Sequence, residues 1–452
     1  MEPFCYHVFV CDQHKPEGVP CCSARGSEQI LDALRREIAS RGLADDVQVT
    51  TCGSLGLCEH GPNMIVYPEG VWYSGVTPGD VPEIVRSHFE QNTPVERLAR
   101  MDAASLRAEV LAGREKMLAA RRAREAAGAL PDDLNDRIRA FQESRVILTA
   151  LELDAFSAIG TGANAAEAAG KMEANDRGTE MLLNALASMG LLIKRGEMYH
   201  NSPVSARYFT ATSPDNARPA LLHTASLWVR WSTLTESVRS GRAVMGEEIA
   251  ERGADWTQSF IAAMHRNATQ RSGPVVRAIG AARVRRLLDV GGGSGAYSIA
   301  FAKANPELRA EIVDLPLVQP IARRHIEEAG VQDQVSVRVG DLRADRFGQN
   351  YDLVFVSAIC HMLSPEENRD LLKRACQALA PGGRIAIQDF ILEADKTAPR
   401  SAALFALNML VGTRAGATYS EMEYADWLIE AGFRDIQRLP VPGSAGVILG
   451  MR

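Results

Sequence analysis

The chain has 452 residues, room for two or three domains at roughly 150 residues each. Its 46% hydrophobic and 23% charged residues are those of a globular protein, and a net charge of −6 argues against a nucleic-acid or anionic-membrane partner. The longest apolar runs, such as 351–359, fall well short of the roughly 18 residues a bilayer-spanning helix needs. The opening MEPFCYHVFVCD has neither a basic n-region nor a long apolar h-region, so a cytoplasmic protein is expected.

Residues 4–10 read as a strand, followed by a loop with Lys15, Pro16, Gly18 and Pro20. Residues 26–42 place Ile30, Leu31, Leu34 and Ile38 at helical spacing. Strands are predicted over 46–51 and 63–67, a turn at 68–70, a returning strand from Val71 and a short helix over 81–90. This makes a small α/β unit over residues 1–92. Six of the eight cysteines fall in its first 58 residues, and in a cytosolic chain such clustering points to a metal or cluster site rather than disulfides. Cys11 and Cys22, with Cys52 and Cys58, could place four thiolates on two loops, the ligand set of a [2Fe–2S] cluster. Zinc also accepts four thiolates, but the C-x₂₋₄-C knuckles it usually takes are absent.

Residues 5–92 resemble thioredoxin-like [2Fe–2S] ferredoxins in HVFVCD, CSARGSEQILDAL and LGLCEHGPNMIVYPEGVWY. The resemblance implies a cluster held by Cys11, Cys22, Cys52 and Cys58. The chain departs from the family's C-x₃-C before Gly-Pro: Ser54 stands at the first position and Cys52 lies two residues earlier.

Residues 93–135, rich in Ala, Arg and Glu, read as a solvated helix or helical linker ending at Pro131-Asp132-Asp133, a helix-start signal. Residues 136–275 read as mostly helical, with amphipathic helices in ESRVILTALELDAFSAI and TEMLLNALASMGL. The following GLLIKRGEMYHNSPVSARYF has a winged-helix pattern. Its would-be recognition helix is apolar and poor in Lys and Arg, so a packing or dimerisation module is expected rather than a DNA reader. The apolar positions Val146, Ile147, Leu148, Leu151, Leu182, Leu183 and Leu186 exceed what one domain is expected to bury, which predicts a homodimer.

Residues 276–452 alternate strands (286–290, 310–314, 335–339, 351–356 and 384–391) with helices, the pattern of a Rossmann-like, doubly wound parallel sheet. LLDVGGGSGAYS at the first strand–helix junction holds Asp289, Gly291, Gly293 and Gly295 in D-x-G-x-G-x-G. Glycines let backbone approach a ligand closely, and the helix N-terminus beyond offers free N–H groups. That loop alone also fits a dinucleotide fingerprint in part. Asp314, with Leu315, ends the second strand, where a carboxylate can accept from ribose hydroxyls. Asp341 and Leu342 follow the third strand, within reach of an adenine amino group, and ALAPGGR reads as a tight turn into the last strand.

Residues 140–452 resemble the S-adenosylmethionine-dependent O-methyltransferases with an N-terminal helical dimerisation domain. That family includes plant phenol methyltransferases, acetylserotonin methyltransferase and a bacteriochlorophyll C-methyltransferase. The resemblance rests on AFQESRVILTALELDAFSAI, LLDVGGGSG, EIVDLPLV, VGDLR, the region of His361 and PGGRIAIQDFIL. It implies S-adenosylmethionine bound at Asp289, Gly291, Gly293, Gly295, Asp314, Leu315, Asp341 and Leu342. It makes His361 the base, oriented by Asp389 and Glu421. Histidine suits the role because its pKa lies near neutrality. The family's Asp-Trp after the histidine is Met362-Leu363 here, and Asp389 replaces a longer glutamate. Met362, Phe405, Asn408, Met409, Trp228 and Trp231 are candidates for an apolar acceptor pocket.

The leading expectation is therefore methyl transfer to a small aromatic or conjugated hydroxyl acceptor, with carbon as another receiving atom. The iron–sulfur domain would sense redox state or dock a redox partner. The alternatives are a redox-responsive ligand-binding regulator and an electron-transfer protein without methyl transfer; a nicotinamide-dependent oxidoreductase is more distant.

Overall fold

The computed structural model describes residues 3–15, 20–100, 102–245, 254–443 and 445–452. The loop expected at Pro16 and Gly18 lies outside them. The chain divides into two compact units, Met1–Phe141 and Gln142–Arg452. Among the described residues no helix is long and apolar enough to cross a membrane.

The first unit is built on strands β1 (Tyr6–Cys11), β2 (Val47–Cys52), β3 (Asn63–Tyr67) and β4 (Val71–Ser74) in the order β2-β1-β3-β4. β1 and β2 are parallel and in register from Tyr6–Val47 to Cys11–Cys52, while β3 and β4 run antiparallel. The crossover helix Ser27–Ser40 buries Ile30, Leu31, Leu34 and Ile38, the four positions its spacing singled out. They pack with Val8, Val10, Met64 and Val66 in one core.

The helix Ala103–Ala126, expected as a solvated linker, also packs within this unit. Leu106 is buried. A Cβ at Gly113 would come within 2.5 Å of the Gly56 carbonyl oxygen, so the missing side chain lets helix and loop touch. Lys116 pairs with Glu59 at 2.6 Å beside Cys58.

The second unit begins with the helices Phe141–Glu152, Ala155–Ile159, Ala165–Met172 and Asp176–Ser188. They pack with the antiparallel hairpin β5 (Leu192–Arg195) and β6 (Met198–Asn201) around Phe156, Leu183, Leu186 and Tyr199. Leu148, Leu151, Leu183 and Leu186 are buried by this chain alone, so they supply no face for a second copy. Exposed apolar side chains of the helical region include Met181, Val204, Val229, Val238 and Val244 instead.

The large sheet contains β7 (Arg286–Val290), β8 (Arg309–Asp314), β9 (Val335–Val339), β10 (Tyr351–Ser357) and β11 (Leu379–Asp389). Two minor strands, β12 (Ile391–Leu392) and β13 (Tyr419–Ser420), pair separately. β14 (Arg434–Leu439) and β15 (Gly446–Met451) complete the seven-stranded sheet, in the order β14-β15-β11-β10-β7-β8-β9. The five strands expected from sequence are parallel, and β15 runs antiparallel to β11. The ALAPGGR segment turns at Pro381-Gly382, with Gly382 at φ +76°, and interrupts the register of β11 rather than preceding the strand. β11 pairs Leu379 with Tyr351 and resumes only at Arg384 opposite Leu353. The boundary expected at 275/276 falls inside the helix Ala254–Ile279, whose last turn adds Val275, Val276 and Ile279 to the sheet's core.

Candidate active site

The carboxyl ends of β7, β8, β10 and β11 carry the predicted chemistry. Asp289, on β7, is 1% exposed and accepts a hydrogen bond from Ser298 Oγ at 2.7 Å. Its other oxygen, Oδ1, has no hydrogen-bond partner among the described residues. Burial, helped by the nearby Asp314 charge, pushes its carboxyl up to about 7. An orphaned buried carboxylate oxygen suits a cationic donor such as a ligand ammonium, which would also offset the desolvation.

The loop that follows takes up positive φ, +68° at Gly291, and a Cβ there would run into the Ile359 side chain. Gly293 N–H donates to Asp314 Oδ2 and Leu315 N–H to Asp314 Oδ1, both at 2.7 Å. Asp314 thus ties the glycine loop to the end of β8, and burial raises its carboxyl above the usual range. Leu342 packs into the core beside Gly291. Asp341 is exposed and accepts from Arg343 N–H at 2.8 Å. The fold therefore gathers Asp289, Gly291, Gly293, Gly295, Asp314, Leu315 and Leu342 along neighbouring strand ends, with Asp341 at their exposed edge.

His361 lies in the short helical turn Cys360–Met362 after β10 and is 6% exposed. Its Nδ1 lies 2.6 Å from Asp389 Oδ1, at the end of β11. A carboxylate only accepts, so this contact puts the ring proton on Nδ1 and leaves Nε2 as the basic nitrogen. Asp389 is 1% exposed and held by three further donors. They are Phe390 N–H to Oδ1 at 2.8 Å, His361 N–H to Oδ2 at 3.1 Å and Tyr424 Oη to Oδ2 at 3.3 Å.

Glu421 does not join this group. Its carboxylate is 48% exposed and lies 3.4 Å from Arg438. It opens the helix Glu421–Glu430, and Tyr424, one turn on, is the residue that turns inward to Asp389. Burial and the Asp389 charge hold the Tyr424 phenol well above its ordinary value, so it stays a proton donor. Sequence reading missed Tyr424, whose only signal was its place three residues after Glu421, on the same helix face.

Aromatic side chains surround the histidine. Phe405 meets the His361 ring edge-on at 4.9 Å, and Phe390 stacks on Phe405 at 4.1 Å. Trp231 Nε1 donates to Asn408 Oδ1 at 3.0 Å. Arg145 lies over the Trp228 ring at 5.6 Å. Of the other pocket candidates, Met409 is buried and Met362 packs against the sheet's core. Phe390 was not among the predicted residues, although it directly follows Asp389.

In the first unit, Cys11, Cys22 and Cys58 are buried and Cys52 is half-buried. The neighbouring Cys11 and Cys22 thiols act on each other, which lowers the first and raises the second. Asn63 Nδ2 lies 3.4 Å from Cys22 Sγ and donates to Leu57 O at 2.7 Å. Ser54 Oγ lies 3.3 Å from Cys58 Sγ. Among the described residues no group of three or more His, Cys, Asp or Glu side chains is placed to hold a metal ion.

The O-methyltransferase dimerisation domain family matches residues 136–211, and the O-methyltransferase domain family matches residues 231–434. The chain is 32% identical over 333 residues to the 3-hydroxy-5-methyl-1-naphthoate 3-O-methyltransferase of Streptomyces sahachiroi, a match covering 71% of this chain and 95% of the relative. Two solved structures resemble it in fold. The human N-acetylserotonin methyltransferase in complex with SAM is 26% identical, with a TM-score of 0.63 over 71% of this chain and 96% of that one. PigF with SAH is 27% identical, with a TM-score of 0.67 over 72% of this chain and 100% of that one.

Proposed function

The chain belongs to the S-adenosylmethionine-dependent O-methyltransferase family that joins a dimerisation domain to an O-methyltransferase domain, and from that premise we propose that it methylates a hydroxyl on a flat aromatic acceptor with His361 as base. The observation that carries this reading is the 2.6 Å contact between His361 Nδ1 and Asp389 Oδ1 beneath the Phe390–Phe405 stack. S-adenosylmethionine, when bound, supplies an electrophilic methyl group. Asp289 and the glycine loop would hold its amino-acid end, and Asp314, Leu315, Asp341 and Leu342 its adenosine.

His361 Nε2 removes the acceptor's hydroxyl proton as the oxygen attacks. Asp389 fixes the tautomer and stabilises the imidazolium that forms, as a buried carboxylate does for other histidine bases. The imidazolium then returns its proton to solvent. Aromatic walls favour a planar ring system, and the naphthoate relative points to hydroxylated bicyclic acids as the acceptors to try first. Incubation with S-adenosylmethionine and a panel of hydroxynaphthoates and simpler phenols, read by mass spectrometry, should give a methylated product and S-adenosylhomocysteine. Tight cofactor binding with no methyl transfer to any member of the panel would count against the reading. The dimerisation domain supports a homodimer.

For the first unit the sequence resemblance and the strand order β2-β1-β3-β4 support a [2Fe–2S] cluster, for which the cysteines would still have to draw together, since no three candidate ligands are gathered among the described residues. The donor chemistry fits such a group in part. Each iron takes two protein ligands, and Cys11 with Cys22 make one adjoining pair. Cys58 belongs to the other. Its companion is Cys52 by thiol chemistry, and Ser54 Oγ, 3.3 Å from Cys58 Sγ, competes for that place. A cluster there would supply one-electron exchange. Methyl transfer from a sulfonium is a polar step that needs none, so the role proposed is redox sensing or docking of a redox partner. Anaerobic reconstitution should give about two irons per chain and dithionite-bleachable visible absorbance, both lost in Cys22→Ala. Cys52→Ala and Ser54→Ala then identify the fourth ligand as the one whose loss releases iron. A colourless, iron-free wild-type protein under those conditions would remove the cluster from the reading.

A further inference from the structure

The helix Ala254–Ile279 packs against the helix Ala296–Ala304 that follows the glycine loop. Ile261 is buried and would lie 3.9 Å from a Cβ at Gly293. One turn further on, His265 Nδ1 lies 2.8 Å from Ser294 Oγ. Ser294 sits inside the glycine loop and is 4% exposed. The His265 ring also stacks face to face on His325, with centroids 4.0 Å apart and planes 9° from parallel. His325 belongs to the helix Gln319–Glu328, which begins a few residues after Asp314. A single imidazole therefore bridges three elements: the long helix, the loop for the cofactor's amino-acid end, and the helix after the strand that carries the ribose carboxylate.

We infer that His265 is a positioning residue for S-adenosylmethionine, holding the glycine loop in its binding shape through Ser294 and tying it to the Asp314 side of the pocket through His325. The loop needs such a clasp because it is glycine-rich, and its conformational freedom must be lost when the cofactor binds. A loop held in shape beforehand avoids that loss. His265 is suited to the task in its neutral form. Burial and the neighbouring His325 lower its pKa, with Arg324 acting in the same direction and Glu328 opposing. The other ring nitrogen, Nε2, faces Thr269 Oγ1 at 3.4 Å. None of these groups is part of the His361–Asp389 pair, so the effect should fall on cofactor affinity and leave the methyl-transfer step alone.

The inference rests on the assignment of this loop to S-adenosylmethionine, and calorimetric titration with S-adenosylhomocysteine separates the two. His265→Ala and Ser294→Ala should each weaken binding roughly three- to tenfold, the effect of one buried hydrogen bond. The double variant should be little weaker than His265→Ala, because Ser294→Ala breaks a contact that His265→Ala has already removed. His265→Asn, which can place an amide near the Nδ1 position, should recover most of the affinity, whereas His265→Gln, reaching toward the Nε2 position, should not. At saturating S-adenosylmethionine kcat should stay within about twofold of wild type while KM for the cofactor rises. Wild-type affinity in His265→Ala would overturn the clasp. So would an Asn variant as weak as Ala, or a loss expressed in kcat with KM unchanged. A wild-type protein that fails to bind S-adenosylhomocysteine would overturn the loop assignment itself.

Discussion

His361→Ala should lower methyl transfer by about 10²–10⁴-fold, the usual contribution of a positioned general base, while S-adenosylhomocysteine binds within about twofold of wild type. The base and the cofactor loop sit on different strand ends, β10 against β7 and β8, and the described hydrogen bonds of His361 run to Asp389 rather than to the glycine loop. The size of the loss should depend on the acceptor. A phenol that is already ionised at the assay pH needs no base, so the defect should shrink as acceptor acidity rises. A simple phenol ionises near pH 10 and should show the full effect. Steady-state rates for a series of ring-substituted phenols measure this directly. An alanine variant as fast as wild type on a weakly acidic phenol would mean that the proton leaves by another route.

The parts of this site that could be read from sequence are those in which one residue type has one physical use. The glycines of LLDVGGGSG announce a loop that needs positive φ, and Gly291 at +68° beside Ile359 bears this out. The alternating strands of the parallel sheet were legible because strands buried on both faces read as continuous apolar runs, as in Leu353–Val356. Other features depend on tertiary context. Glu421 and Tyr424 share a short helix, and only the way that helix packs decides which of them reaches Asp389. The strand β14 escaped notice because Arg434–Leu439 is mostly polar and solvent-facing, with little alternation to betray it, whereas β15, Gly446–Met451, is a short buried apolar run that could have been read. Leu183 and Leu186 suggested a surface awaiting a partner, yet Phe156 and Tyr199, distant in sequence, cover them. A count of apolar residues on a helix does not reveal what the rest of the chain brings to that helix. His265 illustrates the same limit for polar groups: nothing near it in sequence hints at Ser294, 29 residues away.

Asp389→Asn should be nearly as damaging as loss of the histidine, and the reason lies in the donors around the carboxylate. Position Oδ1 receives His361 Nδ1 at 2.6 Å and Phe390 N–H at 2.8 Å. Position Oδ2 receives His361 N–H at 3.1 Å and Tyr424 Oη at 3.3 Å. Both oxygens face donors, and an asparagine has only one acceptor to offer. With its oxygen toward the ring, the amide N–H₂ confronts a backbone N–H and strands it. With the amide turned the other way, N–H₂ faces Nδ1 and forces the ring proton onto Nε2, the nitrogen that must be bare to take the acceptor's proton. The second arrangement still leaves an N–H₂ beside Phe390 N–H. Either way the imidazolium formed during transfer loses its buried counter-charge. A comparable Asp-to-Asn change behind a histidine base costs about 10⁴-fold in a serine protease, and a drop of roughly 10²–10⁴-fold is expected here. Tyr424→Phe removes only the longest of the four contacts and keeps the charge, so its loss should stay within about tenfold. Turnover of the two variants on one weakly acidic phenol, with thermal melting to confirm that both are folded, makes the comparison. If Asp389→Asn retained wild-type turnover, the tautomer of His361 would be set by something other than this carboxylate.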